Sequence, residues 1–254
     1  MRKAEREKYI LQVLAQNGFI DVTEIEQQCQ VSPITARRDL DELAKKGFLV
    51  RTHGGAVKEE SVSNLFSFSN RIDNNAEKKT IISRFAAQFI EDNDAILLDS
   101  GTTVYRLCYY ILKRKNLQVI TSSLPVASEL IKSPHIKVFL IGGEVFPDRR
   151  ATYGPIASEH ISQYHVKKAF IGTDGISLQR GLTVRDVNEA TRIKSMIEAA
   201  DEVYLLCDSS KIESNSLFKL APLSSINYII TDTGIENEIA EQYREKGIKI
   251  FIAD

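Results

Sequence analysis

The 254-residue sequence contains no tryptophan, and no apolar run in it approaches the ~20 residues a membrane-spanning helix requires. No membrane partner is therefore expected. Its start, Met1-Arg2-Lys3-Ala4-Glu5-Arg6-Glu7, lacks the apolar core of an export signal, so a cytoplasmic location is expected. Cysteine is scarce. Cys29, Cys108 and Cys207 lie far apart among apolar neighbours, which argues for buried free thiols and against a disulfide framework or a metal site. A dominant charge is also missing: the formal net charge is −1, and residues 1–58 carry 10 Lys/Arg against 8 Asp/Glu. Any case for a nucleic-acid partner must therefore rest on motif and placement rather than bulk basicity. What is present, 43% hydrophobic and 26% charged residues, suffices for a sizeable core. At ~150 residues per domain the length suggests two domains.

The most informative stretch runs from Val31 to Ala56. Ser32 is a good N-cap and Pro33 suits the first helical position, so a helix is expected to start there and to stop at Gly47, after Lys45 and Lys46. Ile34, Leu40 and Leu43 are expected to face inward. Thr35, Arg37 and Arg38 fall near the helix start, where a recognition helix presents side chains to base edges and phosphates. Phe48 to Arg51, the turn-forming His53-Gly54-Gly55 and Ala56-Val57 read as a short hairpin beside it. Upstream, Tyr9, Ile10, Val13 and Leu14 predict an amphipathic helix over Arg2 to Asn17. A second helix is expected after Asp21-Val22, with Thr23 and Glu26 as a capping box. Lys3 and Arg6 read as solvated charges. The plain alternative for Arg37 and Arg38 is a pair of i,i+4 ion pairs with Asp41 and Glu42.

Thr35, Arg37, Arg38, Asp39, Leu40 and Gly47, followed by Arg51, His53, Gly54, Gly55 and Ala56, make this stretch resemble the winged helix-turn-helix of the DeoR family of bacterial transcriptional regulators. Ala36 departs from the Ile or Val usual there. The resemblance implies that Ser32, Thr35, Arg37 and Arg38 approach double-stranded operator DNA, and that Arg51 and His53 on the wing hold the adjacent backbone. Asp39 is expected to be structural, since phosphates repel a carboxylate.

Between Lys58 and Ala76 the sequence turns polar and irregular. This predicts a DNA-binding domain over 1–57, a linker over 58–76 and a second domain over 77–254, with Phe66 and Phe68 docking the linker on one of the domains. A helix should open at Glu77-Lys78-Lys79 and bury Ile81, Ile82, Phe85, Ala86 and Phe89. Apolar strands then alternate with helical stretches: Ala95 to Leu98, Gln118 to Ile120, Lys137 to Ile141, Lys168 to Ile171, Glu202 to Cys207, Tyr228 to Ile230 and Lys249 to Ile252. Such alternation implies an α/β domain with a mostly parallel sheet, whose ligand sits at the carboxyl ends of the strands.

Three strand-end loops there are chemically loaded. Asp99-Ser100-Gly101-Thr102-Thr103 opens a helix and forms a natural anion site. Thr121-Ser122-Ser123 again places small hydroxyls before a helix, and Asp208-Ser209-Ser210-Lys211 offers an ammonium. Taken singly each loop is explained by capping; together they point to a phosphorylated small molecule. Gly142-Gly143, followed by Asp148-Arg149-Arg150, reads as a mobile cationic loop. Gly172-Thr173-Asp174-Gly175, with Arg185, Asp186 and Glu189 behind it, offers carboxylates to sugar hydroxyls.

These motifs, together with Arg71 and Glu77-Lys78, resemble the DeoR effector domain, itself similar to ribose-5-phosphate isomerase and glucosamine-6-phosphate deaminase. Ser122 departs from the usual Asn. The resemblance implies a phosphorylated sugar effector held by the residues just named, and a repressor released by it, acting as a homodimer or homotetramer on repeated half-sites. The rival readings are a regulator activated by its ligand and a sugar-phosphate isomerase using Asp174, Glu189 and Lys211. Against the enzyme, Ile176 replaces the histidine of the deaminases, and residues 1–57 have no use in an isomerase. No catalytic residue, metal or cofactor is expected.

Overall fold

A computed structural model describes residues 1–46, 48–52, 54–57 and 67–254. The chain divides into two compact units, Met1–Arg71 and Ile72–Asp254.

The first unit contains α1 (Lys3–Asn17), β1 (Phe19–Asp21), α2 (Val22–Cys29), α3 (Pro33–Lys45), β2 (Val50–Arg51) and β3 (Gly55–Val57). Ile10, Leu14, Ile25, Ala36, Leu40 and Leu43 form the buried core beneath the helices. The wing has three strands rather than two, in the order β1-β3-β2 and all antiparallel. The expected capping box at Thr23 is absent. Helix α2 starts at Val22 with Asp21 as N-cap, and the Val22 N–H is taken instead by the Gly54 carbonyl at 2.9 Å, so the wing turn does the capping.

Two inward–outward assignments also reverse. Ile34 is 76% exposed, because the buried stripe of α3 runs through Ala36, Asp39, Leu40 and Leu43 and Ile34 stands two residues, about 200° of helix, from Ala36. Arg6 is buried, and pairs with Asp39. Gly47, His53 and Phe66 lie outside the described residues; Phe68 is buried at the start of the short helix α4 (Phe68–Asp73).

In the second unit α5 (Ala76–Ala86) leads into seven strands, β4 (Ala95–Leu98), β5 (Leu117–Thr121), β6 (Ile136–Leu140), β9 (Val166–Ile171), β12 (Ala200–Leu206), β14 (Tyr228–Asp232) and β15 (Lys249–Ala253). They form one sheet in the order β15-β14-β12-β9-β4-β5-β6, every pair parallel. Successive side chains alternate between two cores, as the pleat requires: Leu97, Ala169, Ile171 and Leu205 enter one, and Ile96, Leu98, Phe170 and Leu206 the other.

From β4 the chain steps outward to β5 and β6, then returns to the other side of β4 for β9, β12, β14 and β15. The direction of winding reverses between β4 and β9, and the crevice beyond their carboxyl ends is where such sheets take a ligand. α6 (Thr102–Ile111), α7 (Leu124–Leu130), α8 (Pro155–Ser162), α9 (Val187–Glu198) and α10 (Asn237–Glu245) complete the layers.

Two antiparallel pieces escaped the periodicity argument. One is the hairpin β7 (Glu144–Phe146) and β8 (Ala151–Tyr153); the other is a sheet of β10 (Gly175–Ser177), β11 (Gly181–Val184) and β13 (Phe218–Ala221). Gly181 turns the chain between β10 and β11 at φ +73°, and a Cβ there would meet the Ala221 carbonyl. Cys29, Cys108 and Cys207 are free and buried, and burial pushes all three thiol pKa values up. Among the described residues no helix is long and apolar enough to cross a membrane.

Candidate functional site

Helix α3 presents one polar face. Ser32 Oγ accepts the Thr35 N–H at 3.3 Å and shares a hydrogen bond with Thr35 Oγ1 at 3.0 Å, which fixes the first turn. Arg37 is exposed and forms no ion pair among the described residues. The Arg38 side chain, 79% exposed, lies 3.5 Å from Glu42. The pairing of Arg37 with Asp41 does not occur: Asp41 is taken by Arg51 Nε at 2.7 Å, and the Arg51 guanidinium also donates to the Gly55 carbonyl. Arg51 thus braces the wing against α3 and neutralises the carboxylate on its exposed face. Beneath α3, Asp39 accepts both Arg6 Nε, at 2.6 Å, and Arg6 Nη2, at 3.1 Å, so the carboxylate is turned into the interior of the unit.

In the second unit, the loops after β4, β5, β9, β12 and β14 open on one edge of the sheet. The structure sorts the residues expected there into those consumed internally and those left open. Asp99, Ser100 and Ser122 are consumed by a residue the sequence reading missed. The guanidinium of Arg192, fully buried, donates through Nη2 to Asp99 Oδ1 at 2.6 Å and Ser100 Oγ at 3.2 Å, and through Nη1 to Ser122 Oγ at 3.1 Å. It also lies over the Tyr153 ring, 4.9 Å from its centroid.

The other oxygen of Asp99 accepts the Gly172 N–H at 3.1 Å, so one Arg–Asp pair ties the loops on both sides of the crevice. Burial would raise the Asp99 pKa, but the Arg192 charge, its hydrogen bond and the Ser100 and Gly172 N–H groups outweigh it and hold the carboxyl below the usual range. Thr121 Oγ1 donates to the Leu98 carbonyl and accepts the Ser123 N–H, while Ser123 caps α7. Each hydroxyl of that loop therefore has an internal partner that holds the loop in shape.

The start of α6 is different. Gly101 has no side chain to cap it, and among the described residues the N–H groups of Thr102, Thr103 and Val104 have no acceptor. Both threonines are buried. Uncapped N–H groups at a helix start, where the dipole is positive, form an anion cradle. Lys211 ends the turn Ser209–Lys211 on the same sheet edge, and its ammonium has no partner among the described residues.

That turn is clamped from α5. Asn75 Nδ2 donates to Asp208 Oδ1 at 3.1 Å, and Lys78 Nζ reaches Ser209 Oγ at 2.7 Å and Asp232 at 3.0 Å. Burial would raise the Asp232 pKa, yet the Ser209 N–H, Lys78 and the Gly234 N–H hold it below the ordinary value. A lysine in the first turn of a helix, where an acid is expected, is the sequence signal that would have found this clamp.

A second cluster lies on the hairpin side. Arg149, in the turn between β7 and β8, reaches Glu189 at 3.0 Å and Asp174 at 4.0 Å, and Asp174 accepts the Arg185 N–H at 3.1 Å. Burial works to lower the Arg149 pKa, but the carboxylates of Glu189, Asp174 and Asp186 raise it on balance. Gly142 donates its N–H to His160 Nδ1 at 3.4 Å, and Gly143, at φ +138°, lies too near the Tyr153 carbonyl for a side chain. These two glycines shape the turn into the hairpin, and the loop expected to be mobile includes a paired β-ribbon.

The family model described as the DeoR C terminal sensor domain matches residues 74–233, and that described as the DeoR-like helix-turn-helix domain matches residues 6–62. The HTH-type transcriptional repressor GlcR of Bacillus subtilis is 34% identical over 254 residues, covering 100% of this chain and 98% of the relative. The glycerol-3-phosphate regulon repressor of Escherichia coli is 29% identical over 232 residues, covering 91% of this chain and 92% of the relative. Among solved structures, a ribose 5-phosphate isomerase from Plasmodium falciparum is similar with a TM-score of 0.40 and 20% identity, over 55% of this chain and 54% of that one.

Proposed function

The chain belongs to the DeoR family of transcriptional regulators, and from that premise we propose that it represses genes of sugar or carbohydrate metabolism and is released from double-stranded operator DNA by a phosphorylated sugar. It is a regulator, not an enzyme. Its place of work is the cytosol, and it acts as a homodimer or homotetramer, because one winged helix spans too few base pairs for gene-level specificity.

The observation that carries the ligand class is the open start of α6. Three N–H groups of buried residues, without acceptors among the described residues, stand at the end of the sheet where Lys211 offers a point charge, and a phosphate satisfies both. Arg149, Asp174 and Glu189 hold the sugar hydroxyls, since carboxylates accept from hydroxyl groups and the guanidinium donates to them. Asp99, Ser100 and Ser122 then act through the shape of the loops, not by touching the ligand.

The test is fluorescence anisotropy of the full chain on DNA from upstream of its own gene cluster, at fixed salt, with a panel of sugar phosphates. A phosphorylated sugar should weaken binding about 5- to 150-fold, a coupling of ~1–3 kcal/mol. Lys211→Ala should bind the same DNA with unchanged affinity and respond to the ligand no more than about twofold. Full release of this variant would place the phosphate elsewhere, and tightening of wild-type binding would show that the ligand promotes the complex.

For the reading helix, Arg37→Ala or Arg38→Ala should cost ~1–3 kcal/mol of affinity with relaxed specificity if the residue reads a base. If it neutralises a phosphate, the salt slope should fall by about one. Unchanged affinity and slope in both variants would remove these residues from the interface.

A further inference from the structure

The exposed isoleucine on the reading helix is unexplained by the fold. Ile34 is 76% exposed, although Ala36, Leu40 and Leu43 on the same helix are sealed in the core. The helix cannot turn to hide it. A rotation of about 200° would expel those three residues and the Arg6–Asp39 pair together. Nor can the first turn relax, because Pro33 occupies its start and Ser32 holds the Thr35 N–H.

Ile34 shares its face with the residues three and four positions on, Arg37 and Arg38. The two acidic groups one turn further along are already paired, Asp41 with Arg51 and Glu42 with Lys3 and Arg38. An apolar, β-branched side chain with few rotamers is therefore presented, rigidly, among cations suited to a phosphate-lined groove.

The major-groove edge of DNA carries one apolar group that projects into the groove, the C5-methyl of thymine; the other groups read there are hydrogen-bond donors and acceptors. We infer that Ile34 is a specificity-determining residue that packs on a thymine methyl in the operator, beside the contacts of Arg37 and Arg38. This rests on the DNA-reading function of α3, and supplies what the arginines cannot. They favour guanine or phosphate, whereas the methyl contact selects thymine over cytosine and over uracil.

The test separates this inference from the function it rests on. The full chain selects duplexes from a random pool at fixed salt. In the enriched duplex each thymine is then replaced singly by deoxyuridine, which removes only the methyl group, and affinities are measured for the wild type, Ile34→Ala and Ile34→Val. Burial of one methyl corresponds to about a fourfold change in affinity.

One thymine per half-site should therefore show about a fourfold loss with deoxyuridine for the wild type and a smaller loss for Ile34→Val. For Ile34→Ala there should be no loss at that position, its affinity for the unmodified duplex being already reduced. Because Ile34 lies in solvent, the melting temperature of the variants should stay at the wild-type value. Equal deoxyuridine penalties in wild type and Ile34→Ala would overturn the inference, since another group then reads the methyl; so would unchanged affinity of Ile34→Ala on every duplex. Failure to enrich any duplex would overturn the DNA-reading function itself.

Discussion

Replacing Arg192 with methionine is expected to destabilise the Ile72–Asp254 unit by about 3–5 kcal/mol, the cost of leaving one partner of a buried ion pair alone. For a unit of this size that is a fall in melting temperature of roughly 6–20 °C. The cause is local. Asp99 is 2% exposed and loses its closest donor, while Ser100 and Ser122 lose theirs.

A carboxylate held below its ordinary pKa contributes stability that is present above the unfolded value and lost as pH falls through the folded one. The wild type should therefore lose this contribution in the acid range below the ordinary carboxylate pKa, and Arg192→Met should show a flatter acid limb. The double variant Asp99→Leu with Arg192→Met buries no lone charge and should recover much of the loss. A melting temperature unchanged by Arg192→Met would show that the pair does not hold the loops. The loop after β4 also carries Thr102 and Thr103, so Arg192→Met that remains folded should respond weakly to the sugar phosphate while still binding DNA.

Arg192 also shows where sequence reasoning stops. The seven parallel strands were legible as apolar runs, because the strands of a sheet covered on both faces read as near-continuous apolar stretches. The short strands β7, β10 and β13 were not, since three or four residues are too few to display a period. Arg192, unlike Glu189, was not legible, for a different reason. Glu189 and Arg192 occupy the same helical stripe as Ile193 and Met196, and a charge within a stripe reads as an interruption unless its partner is known.

The partner, Asp99, lies 93 residues away, which no local pattern reports. The loops themselves were visible as hydroxyl-rich strand ends. Which hydroxyls find internal partners was not, because those partners are distant in sequence, as Arg192 is from Ser100 and Ser122.

Asp39→Asn makes the corresponding test in the first unit, and its two possible signs discriminate between roles. Removing a negative charge from a helix proposed to lie against phosphates should, by electrostatics alone, tighten DNA binding. The structure gives the opposite expectation. Asp39 and Arg6 face each other with side chains 3% and 11% exposed, joining α1 to α3 by a two-pronged contact that a neutral amide cannot satisfy.

The amide would leave Arg6 charged and unmatched in a small unit close to water, so the loss should be about 2–3 kcal/mol, below that of the Arg192 pair. With α3 no longer braced, Arg37 and Arg38 lose their fixed positions, and DNA affinity should fall at least tenfold at fixed salt although the protein has become more positive. The response of the Ile72–Asp254 unit to a sugar phosphate, followed as a shift in its own melting transition, should be unchanged. Tighter DNA binding with an unaltered melting temperature would instead place the Asp39 carboxylate at the nucleic-acid surface. That outcome requires α3 to be rotated from the orientation in which Ala36, Leu40 and Leu43 are buried, so a single substitution tests the facing of the whole reading helix.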